Sequence, residues 1–303
     1  MNREKVMEYL NNPMRLFVKM GRCGFFNWMS DETYLKLAFR SLMGTKANLD
    51  NPQTFNEKLT WLKLHYHNPL MTTLADKYRV KQYVAEKIGS EYVVPCYGHW
   101  KTPEAIEWDK LPERVFLKTN QDSSGGMVVC KSSKEDMEKV NKLFGKKLRE
   151  NHYWGVREWA YKHIEPCILA EEYLDEETGH ELHDYKFWCF NGKPIYMYIT
   201  NKGKIVKENF YDMDFNPADI NHGFERTQPE YEKPANFEKM KAFAQTLSQG
   251  LPFVRMDFFN VKGKLYFSEY TFYDWGGVRP FVNRETDLKL GALLDLSQLN
   301  TSK

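Results

Sequence analysis

Apolar residues recur at helical spacing through the first part of the chain. Residues 34–43 and 54–64 both set apolar side chains three and four positions apart, and Asn51-Pro52 and Asn68-Pro69 punctuate them. The same spacing predicts an amphipathic helix over 76–87. A strand is expected at 92–97, a helical turn from Thr102-Pro103, and a second strand running into Lys118. Ser132 to Asp136 carry capping residues that open a helix reaching about residue 148. Residues 150–164 are irregular and rich in Trp, Tyr, Arg and His. A strand at 168–174 then runs into an acidic turn, and strands at 184–190 and 194–199 flank Asn191-Gly192 as a hairpin. Helices are expected at 237–250 and 287–295, with no internal repeat, low-complexity stretch or long linker.

Two of the hairpin patterns carry candidate chemistry. Residues 115–130 read Val-Phe-Leu-Lys-Thr-Asn-Gln-Asp-Ser-Ser-Gly-Gly-Met-Val-Val-Cys: a strand ending in a lysine, a small polar loop, and a second strand. Small residues let backbone N–H groups approach phosphate oxygens closely. Residues 253–271 read Phe-Val-Arg-Met-Asp-Phe-Phe-Asn-Val-Lys-Gly-Lys-Leu-Tyr-Phe-Ser-Glu-Tyr-Thr. Asp257 and Glu269 are equidistant from Gly263, so a turn there brings the acids together. Side chains alternate along a strand, so Arg255 shares a face with Asp257, and Glu269 with Thr271. Mg²⁺ binds one or two carboxylates plus phosphate oxygens, and this is the combination on offer.

Composition narrows the field further. A chain of 303 residues holds one large domain or two to three smaller ones. A formal charge of +2, with both signs mixed along the chain, gives no basis for nucleic-acid binding. Aromatics make up 15%, which base rates of burial assign to packing before flat-ring substrates. The cysteines at 23, 96, 130, 167 and 189 lack metal-ligand spacing and read as buried thiols in a reducing cytoplasm. No stretch is long and apolar enough for a membrane span, and no signal-peptide core is visible. The segment 14–28 is basic and apolar enough to lie on a membrane surface, although packing on the main body is the favoured reading. His65 and His67 suggest a metal pair, but residues two apart on a helix do not face each other. The cluster 152–161 suits either buried aromatics or a pocket for a sugar acceptor.

The ordered set resembles the ATP-grasp superfamily, and within it the TupA-like group associated with bacterial surface-polymer biosynthesis. The motifs are Thr54-Phe-Asn-Glu-Lys-Leu-x-Trp-Leu-Lys, Asp76-Lys-Tyr, Arg157-Glu-Trp, Ala170-Glu-Glu-Tyr-Leu, Asp184-Tyr-Lys-Phe-x-Cys-Phe-Asn-Gly-Lys and Phe253-Val-Arg-x-Asp, spread over residues 34–297. The resemblance implies an α+β fold in which two lobes clamp ATP between antiparallel sheets, preceded by a helical N-terminal segment. It divides the chain into a helical segment 1–70, an α/β segment 71–112, a lid lobe 113–173 and a metal-bearing lobe 174–303. Carried over residue by residue, Lys118 and Lys77 contact ATP phosphates, under a mobile loop from Asn120 to Gly126 that includes Ser123, Ser124 and Gly125. Glu171, Glu172, Tyr173 and Leu174 form the hinge at adenine and ribose, with Asp175 alongside. Asp184 and Lys186 line the ribose–phosphate side, and Phe267 joins the nucleotide site. Asp257, Glu269 and Thr271 hold Mg²⁺, while Arg255, Lys118 and Lys186 act on the transferred phosphoryl group. Arg157, Trp159 and Arg279 are expected at the substrate. Thr271 stands where many relatives have asparagine, and Gln121 where histidine is expected.

The implied activity is an ADP-forming ligase that joins a carboxylate to an amine through an acyl-phosphate, with ATP and Mg²⁺ as cofactors. Such catalysis rests on positioning and charge neutralisation and needs no protein nucleophile. The expected partners are an amino acid or amine and a sugar-linked carboxylate such as a uronic acid. The expected location is the cytoplasm, and contact with the inner face of a membrane or with a glycan-assembly complex stays open. A glycosyltransferase is the alternative, with Asp175-Glu-Glu and Asp212-Met-Asp as the nearest metal motifs, and a kinase on the same fold is a further one.

Overall fold

The computed structural model describes residues 13–122, 126–175, 182–201, 206–297 and 299. Helices α1 (Pro13–Arg22), α2 (Asp31–Met43), α3 (Phe55–His65), α4 (Pro69–Ala75) and α5 (Val80–Ile88) come first. Two antiparallel sheets follow, giving the α+β class expected from the sequence. Strands β1 (Cys96–Trp100), β2 (Arg114–Thr119), β3 (Met127–Cys130) and β4 (Ile168–Glu172) form a four-stranded sheet in the order β1-β4-β2-β3. Strands β5 (Asp184–Phe190), β6 (Lys193–Thr200), β7 (Glu208–Asp212), β8 (Phe253–Val261) and β9 (Lys264–Thr271) form a five-stranded sheet in the order β7-β6-β5-β8-β9. The remaining helices are α6 (Lys134–Lys147), α7 (Tyr153–Val156), α8 (Phe237–Leu247) and α9 (Arg284–Leu293).

Local rules account for most element boundaries. Thr54 caps α3 in a reciprocal box with Glu57, satisfying two otherwise orphaned N–H groups. Asn191 and Gly192 both take positive φ, as a two-residue hairpin turn requires, and β5 pairs with β6 across them. Several elements differ from the sequence reading, β7 among them, where the pattern predicts no strand. The helix expected over 76–87 begins only at Val80, because Asn68 caps a separate short helix, α4, and Asp76 holds the intervening turn by accepting from the N–H groups of Tyr78 and Arg79. The strand expected at 92–97 is displaced to β1, after a short helical turn at Ser90–Tyr92. β1 is the edge strand of the four-stranded sheet, so that sheet draws on the segment before residue 113.

The high aromatic content is spent on packing. Trp188 on β5 is fully buried, with ring centroids of Phe210, Phe55 and Tyr198 at 4.9, 5.4 and 5.7 Å. This core lies under the five-stranded sheet and reaches α3, α4, α5 and α8. A smaller core, including Val115, Leu117, Ile168 and Phe144, fixes α6 against the four-stranded sheet. The four-stranded sheet is thus backed on one face by its own apolar layer, which leaves the other for Lys118 and Glu171. In the five-stranded sheet the adjacent Phe187 and Trp188 are both fully buried, so apolar side chains cover both faces, and Lys186 and Arg255 share the face of Trp188.

Candidate functional site

The hairpin of β8 and β9 turns at Lys262 and Gly263, both with positive φ. Val261 pairs with Lys264 and Phe258 with Phe267, a register that by itself would set Asp257 opposite Ser268. A bulge between Asp257 and Phe258 shifts the pairing by one residue, so Asp257 faces Glu269 and Arg255 faces Thr271. The acids are therefore cross-strand neighbours, although a turn centred on Gly263 is not the reason. Like charges placed so close need cations. The protein supplies three. Arg255 Nε and Nη2 donate to the two oxygens of Asp257, both at 2.7 Å, and Nη2 also reaches Glu269 Oε1 at 3.2 Å. Lys186 Nζ lies 2.6 Å from Asp257 Oδ2 and 3.5 Å from Asp184, and Lys77 Nζ lies 3.0 Å from Glu269 Oε2. The remaining Arg255 nitrogen, Nη1, donates to Asp274 at 2.5 Å and to the Tyr198 hydroxyl at 3.2 Å.

Burial is the largest influence on both central carboxyls and pushes them upward. On Glu269 the fields of Lys77, Arg255 and Lys186 overcome it and hold the carboxyl well below the ordinary range. On Asp257 burial, reinforced by the Glu269 charge, prevails over Arg255 and Lys186. Burial also opposes protonation of Lys186, but Asp184 and Asp257 outweigh it and raise that lysine.

A second charged group sits on the four-stranded sheet. Lys118 on β2 and Lys81 on α5 both grip Glu171 of β4, at 2.6 and 2.7 Å. Burial, with the like charges of Lys81 and Lys77, lowers Lys118 against the pull of Glu171. Lys77 therefore stands between the two groups, in the field of one and in contact with the other. Asn120 fixes it there. The Asn120 carbonyl accepts from Lys77 N–H at 3.0 Å, and its side chain donates to Asp76 at 2.9 Å and accepts from Cys167 N–H at 2.9 Å.

Several expected site residues take other places. Arg157 is 1% exposed and turned away from the acids: it bridges to Asp31 at 3.1 Å, donates to the Phe26 carbonyl at 2.9 Å and stacks on Tyr34 at 4.1 Å. Its work is to hold the N-terminal helices against the body. Phe267 packs in the core beside Phe258 and Tyr270, at 6.0 and 5.3 Å. Glu171 lies inside β4, paired on both sides, so its backbone belongs to the sheet and its carboxylate to two lysines. Asn120 and Gln121, expected to begin the mobile loop, are buried and bonded, Gln121 through the Glu150 carbonyl at 2.5 Å. Lys77 precedes its helix rather than opening it. Trp159 stacks on His67 at 4.9 Å, and Arg279 donates to the His222 carbonyl while lying over Phe224 and Trp275. Glu172 N–H bonds to the Pro95 carbonyl, Tyr173 lies under Arg114, and Leu174 packs near Val94. The Asp175 carboxylate stands 3.8 Å from Arg114. A Cβ on Gly126 would lie 2.3 Å from the Phe116 ring and 3.0 Å from the Leu117 carbonyl, so any larger residue there must displace that ring. Ser123, Ser124 and Gly125 lie outside the described residues.

The structure adds residues that sequence reasoning missed. Lys81 is one helical turn beyond Lys77, a spacing that could have flagged it. Asp274, 3% exposed, receives Arg255 and Tyr198 on Oδ1 and, among the described residues, has no partner on buried Oδ2. It is carried by an unusual turn in which Trp275, Gly276 and Gly277 all have positive φ. Asn56, Thr60 and Lys63, on one face of α3, clamp that turn: they donate to the carbonyls of Arg279, Gly277 and Gly276. Lys63 is 3% exposed and burial lowers it to about 8.

Among the described residues no three His, Cys, Asp or Glu side chains converge as a cage for a metal. Asp257 and Glu269 as a cross-strand pair, with the unpartnered Asp274 Oδ2 nearby, do suit a Mg²⁺ ion that arrives with phosphate oxygens and keeps part of its water shell. The face that results combines acids for a cation with lysines for an anion.

A family model described as TupA-like ATP-grasp matches residues 57–295. No curated protein matches the chain. Among solved structures, D-alanine–D-alanine ligase from Helicobacter pylori is similar at 13% identity and a TM-score of 0.46, over 80% of this chain and 69% of that one. D-alanine–D-alanine ligase from Bacillus anthracis complexed with ATP is similar at 14% identity and 0.42, over 73% of this chain and 63% of that one. ATP-grasp ligase PsnB complexed with minimal precursor, Mg and ADP follows at 11% and 0.40, over 82% and 63%. The chain spans about two thirds of the length of each of these proteins.

Proposed function

The chain belongs to the TupA-like ATP-grasp family, and from that premise we propose that it is an ADP-forming carboxylate–amine ligase. One observation carries the reading: Asp257 and Glu269 pair across two strands around Arg255, with Lys77 linking them to Lys118. In the proposed reaction a substrate carboxylate attacks the γ-phosphorus of ATP, releasing ADP and leaving an acyl-phosphate. An amine then attacks the acyl carbon, phosphate leaves, and the amine gives up a proton. Lys118, Lys81 and Lys77 bind phosphate oxygens, and the Arg255 guanidinium, held in place by Asp257, Glu269, Asp274 and Tyr198, stabilises the phosphoryl group through its positive charge as charge moves. Asp257 and Glu269 are the residues that would hold Mg²⁺, which supplies neutralisation of the triphosphate.

The carboxylate we propose is sugar-linked, of the uronic-acid class, and the amine an amino acid, in assembly of a bacterial surface polysaccharide. The resemblance of the motifs supports this. The glycosyltransferase alternative finds no support at Asp212-Met-Asp. There Asp212 closes a turn, accepting from the N–H groups of Asp214 and Asn216 and from the Asn216 side chain. Of Asp175-Glu-Glu, residues 176 and 177 lie outside the described residues.

The test is ADP release by the purified protein against panels of uronic acids and amino acids, with hydroxylamine added to trap acyl-phosphate as a hydroxamate. ADP release that needs both substrate classes, with hydroxamate formed when the amine is omitted, supports the reading. ADP release with a stable phosphorylated product and no hydroxamate would show a kinase instead.

A further inference from the structure

The proposed reaction takes a proton from the amine, and the side chains assigned to it so far bind phosphate or metal. An acceptor for that proton lies in the cluster 152–161, which divides into two sets. Arg157 turns to the N-terminal helices. His152, Glu158 and Tyr161 form the other set. Glu158, 5% exposed, lies 3.2 Å from His152 Nε2 through Oε1, and the Tyr161 ring meets the imidazole edge-on with centroids 4.7 Å apart. A carboxylate only accepts, so Nε2 carries the proton and Nδ1 keeps its lone pair. The His152 side chain is 20% exposed, and among the described residues Nδ1 has no partner. An imidazole oriented at one nitrogen by a buried acid, with the other nitrogen open, is built as a general base.

Three observations put this pair beside both charged groups. Glu150, two residues before His152, takes Gln121 Nε2 on its carbonyl at 2.5 Å, and Gln121 follows the end of the lysine-bearing strand β2 by two residues. Glu158 Oε1 lies against the turn that carries Asp274: a Cβ on Gly276 would stand 3.5 Å from it, and Asp274 holds Arg255. Tyr161 links the pair to the acid cluster. Burial pushes its hydroxyl well above the usual range, and the charges of Glu158 and then Glu269 add to the effect, with Arg255 opposing it. The same field reaches Tyr273, whose hydroxyl is buried and, among the described residues, has no hydrogen-bond partner.

We propose that His152 is the base that accepts the proton of the attacking amine, with Glu158 as the residue that positions it. The assignment rests on the ligase reading above. The amine arrives as an ammonium group. His152 Nδ1 takes one proton and frees the nitrogen lone pair, which attacks the acyl carbon. The C–N bond forms, the bond from that carbon to the phosphate oxygen breaks, and phosphate leaves with the bonding electrons. The excess proton left on nitrogen goes to the departing phosphate, and His152 returns its own proton to water.

Hydroxylamine separates the two half-reactions, because it is largely unprotonated near neutral pH and attacks an acyl-phosphate without help from a base. Full-length protein is given Mg²⁺-ATP, the uronic acid active in the ADP-release panels, and either hydroxylamine or the active amino acid. The readout is the ratio of amide to hydroxamate, which does not depend on the fraction of protein that is folded. His152→Gln keeps a donor for Glu158 but is no base, and should lower this ratio by about 10²-fold or more. Glu158→Gln should lower it by less. Imidazole added to His152→Ala should restore part of the amide yield, which a purely structural role does not allow. An unchanged ratio in His152→Gln, whether both products persist or fall together, overturns the assignment and leaves the ligase reading standing. Absence of hydroxamate from the wild-type protein overturns the ligase reading and this assignment with it.

Discussion

The two charged groups that face each other across this protein are built on opposite plans. On the four-stranded sheet one carboxylate, Glu171, is shared by two lysines, Lys118 and Lys81. On the five-stranded sheet the carboxylates of Asp184, Asp257, Glu269 and Asp274 gather around Arg255, Lys186 and Lys77. The first group is a lysine clamp closed on an internal acid, and phosphate oxygens can take the place of that acid. The second is an acid cluster held in shape by guanidinium and ammonium groups, and a metal can share its carboxylates. A buried ion pair is costly to break from one side, because the partner is left charged and unpaired. The same substitution should therefore act differently in the two groups, and this separates holding from catalysing.

The largest effect is expected at Asp257. Asp257→Asn removes the acceptor of Arg255 and Lys186 together with a proposed metal ligand. ADP release per folded molecule should fall by about 10³-fold or more, and stability by about 3–5 kcal/mol. Glu269→Gln, whose side chain is 22% exposed, should match the loss of turnover with a much smaller loss of stability. Turnover near wild type in either variant would remove the acid cluster from the chemistry.

Next comes Arg255. Lysine keeps the charge but cannot span Asp257, Glu269, Asp274 and Tyr198 at once. Arg255→Lys should lower kcat by ~10²-fold, more than it raises KM for ATP, and should also lower the melting temperature. A lower melting temperature with unchanged turnover of the folded enzyme would make Arg255 a strut of the hairpin and nothing more.

Glu171→Gln sharpens the contrast from the other side. It leaves Lys118 and Lys81 without their shared acid, so the free protein should melt earlier. Mg²⁺-ATP should then stabilise the variant by more than it stabilises wild type, since phosphate takes over the role of Glu171. A smaller stabilisation than wild type would mean that the lysine clamp does not meet phosphate.

The smallest effect tests the helix that supports the acid cluster. Burial lowers Lys63 from 10.5 to about 8. Between those values the unfolded chain binds a proton that the folded chain does not, so this group makes stability rise with pH. Lys63→Met deletes the titration, and wild type should gain on the variant by roughly 2 kcal/mol between pH 7 and 9.5 in denaturant melts. The thiols of Cys167 and Cys189, pushed up to about 12, oppose the trend equally in both proteins and cancel in the difference. A difference independent of pH would show that Lys63 titrates normally.

By itself the sequence determined much of what a local rule can reach. The capping box at Thr54 and Glu57, the Asn191-Gly192 hairpin and the lysine-ended strand are written in residues a few positions apart, where periodicity and turn chemistry act. Tertiary structure alone decided which charges meet. Lys186 and Asp257 are 71 positions apart and touch because β5 and β8 are sheet neighbours. Asp274 enters the cluster only because α3 clamps a turn of three left-handed residues. Even the Asp257–Glu269 pair, which equal spacing from Gly263 suggested, depends on a bulge: without it the alternation of β9 would carry Glu269 to the opposite face. Spacing along a chain fixes which side a residue takes within its own element. Its partner is fixed by the register and packing of elements far away in sequence, and no local pattern encodes them.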